Sequence, residues 1–373
     1  MYIHFKTLLK ITYLMLFYRK FTLKRFTFFL GFVFVFSFCW IINFIFRILD
    51  DVFYPGYKKQ EVKKPVFIIG NPRSGTTFLY DLMAQDTENF SQPKLYQTIF
   101  CSVILYKFLR RFYRLQTKKK RITKVSSSKF NKFFDKFKTI HQIDLNKSEE
   151  DEALFFLTLL SPSLYFVCPF IDKLPWISII DDMPEKVKLK LIKYYQNSIK
   201  RYMYLHGNNK TYFCKNVMSS GKIKLIKQAF PDAIIINSIR HPYKAIPSMI
   251  SFYHASWKLH SPELLEASKE TKALANVMEG LYKHMLKCKD YIGKDLMVVK
   301  FEDLVKNPIK SVKEIYKKLN LKMPKNLNLK IAKFINKKDH KSKHSYSLEE
   351  YGLNKKEIKK ELKAVFDFYE FKD

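Results

Sequence analysis

PVFIIGNPRSGTT, residues 65–77, is the stretch that decides the fold. Residues 65–70 form an apolar run bounded by Pro65 and Gly70, as expected of a strand buried on both faces. Residues 71–75 read as a turn, and TTFLYDLMAQD beyond it has helical spacing at Phe78, Leu82 and Met83. A glycine-bounded turn between strand and helix brings successive backbone N–H groups together beneath the positive end of the helix dipole. That makes an anion site sized for a phosphate. The spacing from Gly70 to Gly75 is that of a nucleotide-binding loop, but Thr76 stands where such a loop carries its Lys. Arg73, inside the turn, supplies a cation instead. Pro72, Arg73, Ser74, Gly75, Thr76 and Thr77 are therefore the first candidate ligand set.

Outward from this stretch, YFC (212–214), AIIINSI (233–239) and LMVVKF (296–301) read as further buried strands. Helical stretches such as 184–205 and 309–319 separate them. Alternation of this kind predicts an α/β fold with a parallel sheet and helices on both faces. Residues 107–138 are Lys/Arg-rich with little periodicity, and read as an exposed basic helix and loop.

A chain of 373 residues with 47 % hydrophobic content can bury a sizeable core, which excludes global disorder. Only 9 Gly and 14 Pro exclude a collagen-like chain. The 68 Lys and Arg against 34 Asp and Glu leave a net charge of +34, which favours phosphate-rich or other anionic partners. Arg73 and Arg240 are two of only ten Arg among those basic residues, so a planar fork at each is a choice the Lys-rich background did not make. The five cysteines are scattered and form no Cys-x-x-Cys pair, which fits neither a disulfide framework nor a zinc site and agrees with a reducing compartment.

A second motif is IIINSIRHPYKAIPSM (234–249). Arg240 follows a buried strand, and Ser248 lies eight residues on, in a helix opening near Tyr243. A strand-end Arg and a hydroxyl in the helix's first turns can grip one phosphate from two sides. A third cluster is Glu149-Glu150-Asp151-Glu152, preceded by His141. Ser148 reads as the cap of a helix starting at Glu149. If Ala153, Phe156, Leu157 and Leu160 face inward, Glu149 and Glu150 flank that face and Asp151 points away. Glu149 or Glu150 is then the candidate general base, with His141 as second choice.

Taken together, PVFIIGNPRSGTT, RHPYKAIPS and VVKFEDLVKNP resemble the sulfotransferases that use 3′-phosphoadenosine 5′-phosphosulfate (PAPS). The likeness is to the mainly bacterial branch with GNPRSGTT loops, an H…EEDE segment, FPDA after a Lys-Ser-Pro, and an H-x-Y-S-x-E-x-Y-G-L tail. Here the tail is HSYSLEEYGL (344–353), and the resemblance covers roughly residues 48–370. It implies a P-loop NTPase-like fold and sulfuryl transfer from PAPS, with no metal needed where fixed cations meet the developing charge. It also implies that residues 72–77 hold the 5′-phosphosulfate, with Arg73 against the bridging oxygen, and that Arg240 and Ser248 hold the 3′-phosphate. Two departures stand out. Arg240-His241-Pro242 replaces Arg-Asp-Pro, and Lys215-Asn216-Val217 replaces Lys-Ser-Pro, which bears on Lys215 as a catalytic candidate. Glu302 and Asp303 read as structural caps of the loop and helix after their strand, and Lys343, His344 and Tyr346 as residues able to fold over the cofactor.

Two rival readings fit less of the sequence. A kinase or other NTPase should show Gly-Lys-Ser/Thr and a strand-end Asp for its metal. A non-enzymatic basic membrane-surface or nucleic-acid module would explain the charge but not Arg73 and Arg240 at motif positions. No nucleic acid is expected as partner. The acceptor is open among sugars, lipids, alcohols and peptides.

FTFFLGFVFVFSFCWIINFIF (26–46) carries no charge and is long enough to cross a bilayer. The basic, apolar segment before it suits an amphipathic helix on an anionic surface. Residues 1–48 are therefore expected to form a membrane-associating segment whose hydrophobic helix spans the membrane, and 49–373 the catalytic domain, on the cytoplasmic side. The alternatives are a buried hairpin or helix packed on the catalytic domain, a helix lying in the membrane interface, and a monotopic anchor with both flanks on that side. This location favours a membrane-associated acceptor such as a glycolipid.

Overall fold

Residues Val66–Ile69 form β1, the middle strand of a five-stranded sheet, in a computed structural model that describes residues 1–119, 150–207, 209–265, 268–337 and 346–372. The candidates His141 and Glu149, the cap Ser148, Lys343, His344 and most of the basic 107–138 stretch lie outside the described residues. The other strands are β2 (Phe90–Ser91), β3 (Thr211–Asn216), β4 (Ile234–Ile239) and β5 (Leu296–Lys300). Their order is β2-β3-β1-β4-β5, and every pairing is parallel. β1 meets β3 at Ile68↔Lys215 and β4 at Ile68↔Ile236.

All four β1 residues are buried. Phe67 and Ile69 join the larger core on one face, and Val66 and Ile68 join a second core with Phe213 and Ile236 on the other. That two-sided burial is why the strand reads as an unbroken apolar run rather than an alternation. β2 was not expected. Two residues on a sheet edge carry no period to read.

The helices, in chain order, begin with α1 (Phe5–Leu16) and α2 (Leu23–Phe53). After β1 comes α3 (Thr76–Met83), then α4 (Leu95–Ile99), α5 (Val103–Lys119), α6 (Glu152–Phe156) and α7 (Glu185–His206). Next are α8 (Ile223–Ala229), α9 (Pro242–His260), α10 (Lys269–Ile292), α11 (Phe301–Lys306) and α12 (Pro308–Leu319). Glu302 and Asp303 differ from expectation. β5 runs straight into α11, so they occupy its first turn, where acidic side chains suit the dipole, rather than capping a loop.

The apolar N-terminal run does form one helix, but α2 is tied to the rest of the fold along one stripe. Arg25, Phe29, Phe36, Asn43, Arg47 and Asp50 are its buried residues. Arg25 donates to Ser261 (3.1 Å) and pairs with Glu263. Asn43 donates to the Ile99 carbonyl (2.7 Å) and accepts from the Cys101 N–H (2.9 Å). Arg47 reaches Ser198 (2.8 Å). Asp50 accepts from Ser102 and from the backbone N–H of Val103 and Ile104, which caps α5, and pairs with Arg201 at 3.0 Å. The remaining face, including Leu30, Phe34, Phe38, Ile41 and Ile48, is exposed.

Candidate functional site

The site lies where β1, β3, β4 and β5 end, the usual place for a ligand in an open parallel sheet. Gly70 leaves β1 with φ 155° and lies so close to β4 that an added Cβ would stand 2.2 Å from the Ser238 carbonyl oxygen. Ser238 in turn donates to the Ser74 carbonyl (2.6 Å), stitching the turn to β4. Gly75 is the N-cap of α3 in the left-handed region (φ 81°), and a Cβ there would fall 2.4 Å from the Phe301 ring. Only glycine fits both the dihedral and the space. Arg73 also has positive φ (69°), a strained backbone for a long side chain, of the kind held where geometry serves a ligand.

Around this turn the structure brings most of the described candidates together. The exposed Arg73 donates through Nε to Ser248 Oγ at 3.0 Å. Arg240 donates to the Arg73 carbonyl at 3.2 Å, lies 4.6 Å over the Phe301 ring, and has its own carbonyl held by Tyr282 at 2.7 Å. His241 caps α9 through Nδ1, accepting from the Tyr243 N–H at 3.2 Å. The His in place of Asp therefore keeps a capping acceptor and leaves Arg240 at the strand end.

On the other flank, Lys215, next to last in β3, has its Nζ 3.2 Å from Thr77 Oγ1 and 3.0 Å from Glu150 Oε1. Lys215 is almost fully buried, so its charge faces the loop rather than water. Two cationic flanks thus stand beside the first turn of α3, Arg73 and Arg240 with the Ser248 hydroxyl on one and Lys215 on the other. This donor set fits a ligand with separated anionic groups. Arg73 leans toward Ser248, whereas Lys215 is the cation beside Thr77.

The acidic segment differs from its expected geometry. α6 starts at Glu152, not Glu149, and its inward residues are Leu154 and Phe155 rather than Ala153 and Phe156. Asp151, expected to point away, is fully buried. Its carboxylate accepts from Tyr195 (2.5 Å) and Asn216 (2.7 Å). Burial pushes its pKa up, with those hydrogen bonds opposing. Glu152 is buried as well, paired with Lys222 (2.7 Å) and bonded by Ser161. These two acids clamp the segment to β3 and the turn after it, and so hold Glu150 beside Lys215. Apart from Ser161, their partners lie 44 to 70 residues downstream, so the clamp gives little local sequence signal.

Among the described residues, one group of metal-type ligands is present: Asp181, His284 and Cys288, all buried. Asp181 is already engaged there. It accepts from the backbone N–H of Lys224 and Leu225 in the first turn of α8 and pairs with His284 at 2.8 Å. Burial works against the imidazolium, but Asp181 and Cys288 outweigh it and raise its pKa to about 9. The arrangement is a buried ion pair. All five cysteines are free.

A family model described as "Sulfotransferase family" matches residues 65–325. Among curated proteins, the omega-hydroxy-beta-dihydromenaquinone-9 sulfotransferases of Mycobacterium tuberculosis and Mycobacterium bovis are each 23 % identical over 262 residues, 69 % of this chain. The match spans 63 % of the length of these relatives. In fold, the chain is similar to a sulfotransferase from Mycobacterium avium, with TM-score 0.69 and 18 % identity over 86 % of this chain and 80 % of the other. A sulfotransferase from Mycobacterium tuberculosis aligns with TM-score 0.60 and 18 % identity, covering 83 % and 79 %.

Proposed function

The chain belongs to the sulfotransferase family, and we propose that it moves a sulfuryl group from PAPS to a hydroxyl or amine of a membrane-associated acceptor. The observation that carries this reading is the pair of cationic flanks on one glycine turn: Arg73, Arg240 and Ser248 on one side, Lys215 and Thr77 on the other. A kinase-type reading lacks its Lys at Thr76 and its acidic strand end at Arg240.

In this reading the 72–77 turn and the α3 N-terminus hold the 5′-phosphosulfate, and Arg240 with Ser248 holds the 3′-phosphate. PAPS supplies an activated sulfuryl group. The acceptor oxygen or nitrogen bonds to sulfur as the sulfur–oxygen bond to the 5′-phosphate breaks, the electron pair staying on that phosphate. Lys215 meets charge on the sulfuryl or bridging oxygens, a role better suited to its position than to that of Arg73. Glu150, beside Lys215, takes the acceptor's proton. Asp151 and Glu152 position Glu150 without touching the reactants. The donor reading needs no metal, since side-chain cations and N–H groups cover the anionic oxygens.

The same reading gives the N-terminal region a place. From Arg25 to Asp50 an α-helix rises about 37 Å, longer than a hydrocarbon layer of about 30 Å. The partners at its two ends, Ser261 and Glu263 at one and Ser102 and Arg201 at the other, belong to the same catalytic domain. A helix crossing the bilayer would set those partners on opposite sides. We therefore place α2 in the plane of the membrane surface, its stripe on the domain and its exposed face in lipid. The site then stays on the cytoplasmic side, where PAPS is supplied.

Replacing Arg240 with Ala tests the donor assignment. Calorimetry should show that the wild-type chain prefers the desulfo product, 3′-phosphoadenosine 5′-phosphate (PAP), over both ATP and adenosine 5′-phosphate. The variant should lose about 2–4 kcal/mol of the preference that depends on the 3′-phosphate. A wild-type chain that prefers ATP would overturn the proposal.

A further inference from the structure

We infer that the cleft between α1 and α2 holds the hydrocarbon chain of the acceptor. This rests on the sulfotransferase reading and narrows its acceptor to a long-chain amphiphile.

The cleft encloses about 330 Å³, within the range of small-molecule sites. Ile3 and Leu8 line it from the α1 side, Phe29 and Phe36 from α2, and Leu159 closes it from the catalytic domain. Its lining is apolar apart from Ser37 and the Trp40 indole. The Trp40 Nε1–H is buried with no acceptor. A buried unpaired donor costs free energy, which an oxygen on an otherwise apolar occupant would recover. Leu159 supplies a second sign. It is buried with φ 61°, a left-handed conformation rare for a branched side chain and sustained only where the surroundings impose it.

The cleft also leads toward the chemistry. Phe156 packs on Phe32 (6.0 Å) and Phe36 (6.4 Å), and it ends α6, the helix that follows Glu150. Glu150 and Leu159 stand nine positions apart, on either side of the five-residue α6, so no more than about 23 Å of chain lies between them. An extended chain anchored in the cleft can therefore present a hydroxyl near Glu150. The occupant enters from the bilayer rather than from water, because Phe34, Phe38 and Ile41 beside the cleft form an exposed apolar face with no protein against it among the described residues. A protein partner would need polar groups at a rim, and this face offers none between Phe26 and Trp40 beyond Thr27 and Ser37.

Two photoreactive 1-dodecanol probes test this on the full chain in phosphatidylcholine/phosphatidylglycerol vesicles. One carries its diazirine at the chain end, the other beside the hydroxyl. The chain-end probe should label the inward faces of α1 and α2 and the peptide holding Leu159. The hydroxyl-end probe should label the peptide holding Glu150. Excess unlabelled dodecanol should suppress both, and Leu8→Trp and Ser37→Phe, which fill the cleft, should each lose both while PAP binding by calorimetry is retained. Label confined to Leu30, Phe34 and Phe38 and indifferent to competitor is bulk lipid contact and overturns the inference while the donor reading stands. Cleft labelling unchanged by both variants overturns it as well. A labelled cleft in a protein that binds no PAP overturns the sulfotransferase reading, and with it the acceptor role, leaving a lipid-chain site.

Discussion

β1 and the 26–46 stretch of α2 begin from the same kind of sequence, an uncharged apolar run, and end in opposite surroundings. Ile68 in β1 is 0 % exposed, with strands on both sides and a core on each face. Phe34 in α2 is 74 % exposed. An apolar run states only that a segment leaves water. What it enters is decided by its polar residues. β1 has none, and its backbone groups are satisfied by two neighbouring strands. α2 has Arg25, Asn43, Arg47 and Asp50 at intervals that fall on one stripe, and each finds a partner in the chain beyond α2.

The comparison can be broken most directly by removing residues 1–48. If α2 were a tether, the remainder would fold and bind PAP. With α2 as a packed element, the loss strips the cover from Ser198 and Cys101 and from one face of the larger core. The apolar side chains laid bare, at about 1.5–3 kcal/mol each, approach the whole stability of a domain, about 5–15 kcal/mol. The expected result is insoluble protein or no cooperative melt by circular dichroism. A soluble truncated chain that binds PAP as tightly as the full chain would reject the packed reading.

The next test sharpens the β1 side, where the sheet's ends organise the chemistry. Glu150→Gln should lower kcat by about 10²–10⁴ with the affinity for PAP kept, measured with labelled PAPS on extracted lipids. A mild loss would pass the base role to Glu149 or His141.

The smallest effect belongs to α2's outward face. Phe34→Ser should change the melting free energy by no more than about 0.5 kcal/mol, as for an exposed site. It should still weaken vesicle binding in a flotation assay, because a membrane-buried Phe contributes about 1.5–3 kcal/mol. High salt should release the wild-type protein poorly, since salt screens the surface charges but not the apolar contact. Equal flotation of both proteins would separate that face from lipid.

The sheet was legible because strands buried on both faces announce themselves. Residues 65–70, 233–239 and 296–301 all became strands within a residue or two. The turn was legible because its glycines, Arg73 and the flanking elements are contiguous. Where a residue's role depends on a distant partner, the sequence was silent. Asp151 and Glu152 looked like ordinary acids of a first turn, and only Tyr195, Asn216 and Lys222 make them a buried clamp. Lys215 looked weakened by the loss of the neighbouring Ser and Pro, yet β3 aims it at Thr77 all the same. The stripe on α2 was present in the sequence, but the charge-free length of 26–46 drew attention to its hydropathy instead of to Asn43.

The Asp50–Arg201 pair has a further consequence, in time rather than space. Its members are 151 residues apart, so during synthesis α2 emerges long before its partner exists. At about 5–20 residues per second the ribosome needs roughly 8–30 s to reach Arg201. Through that interval the nascent chain displays a 31-residue, largely apolar helix whose partners on α7 and beyond are not yet made. Shelter for that face during synthesis, by a chaperone or a membrane surface, would have to last as long as synthesis takes to cover the distance between two residues that later touch.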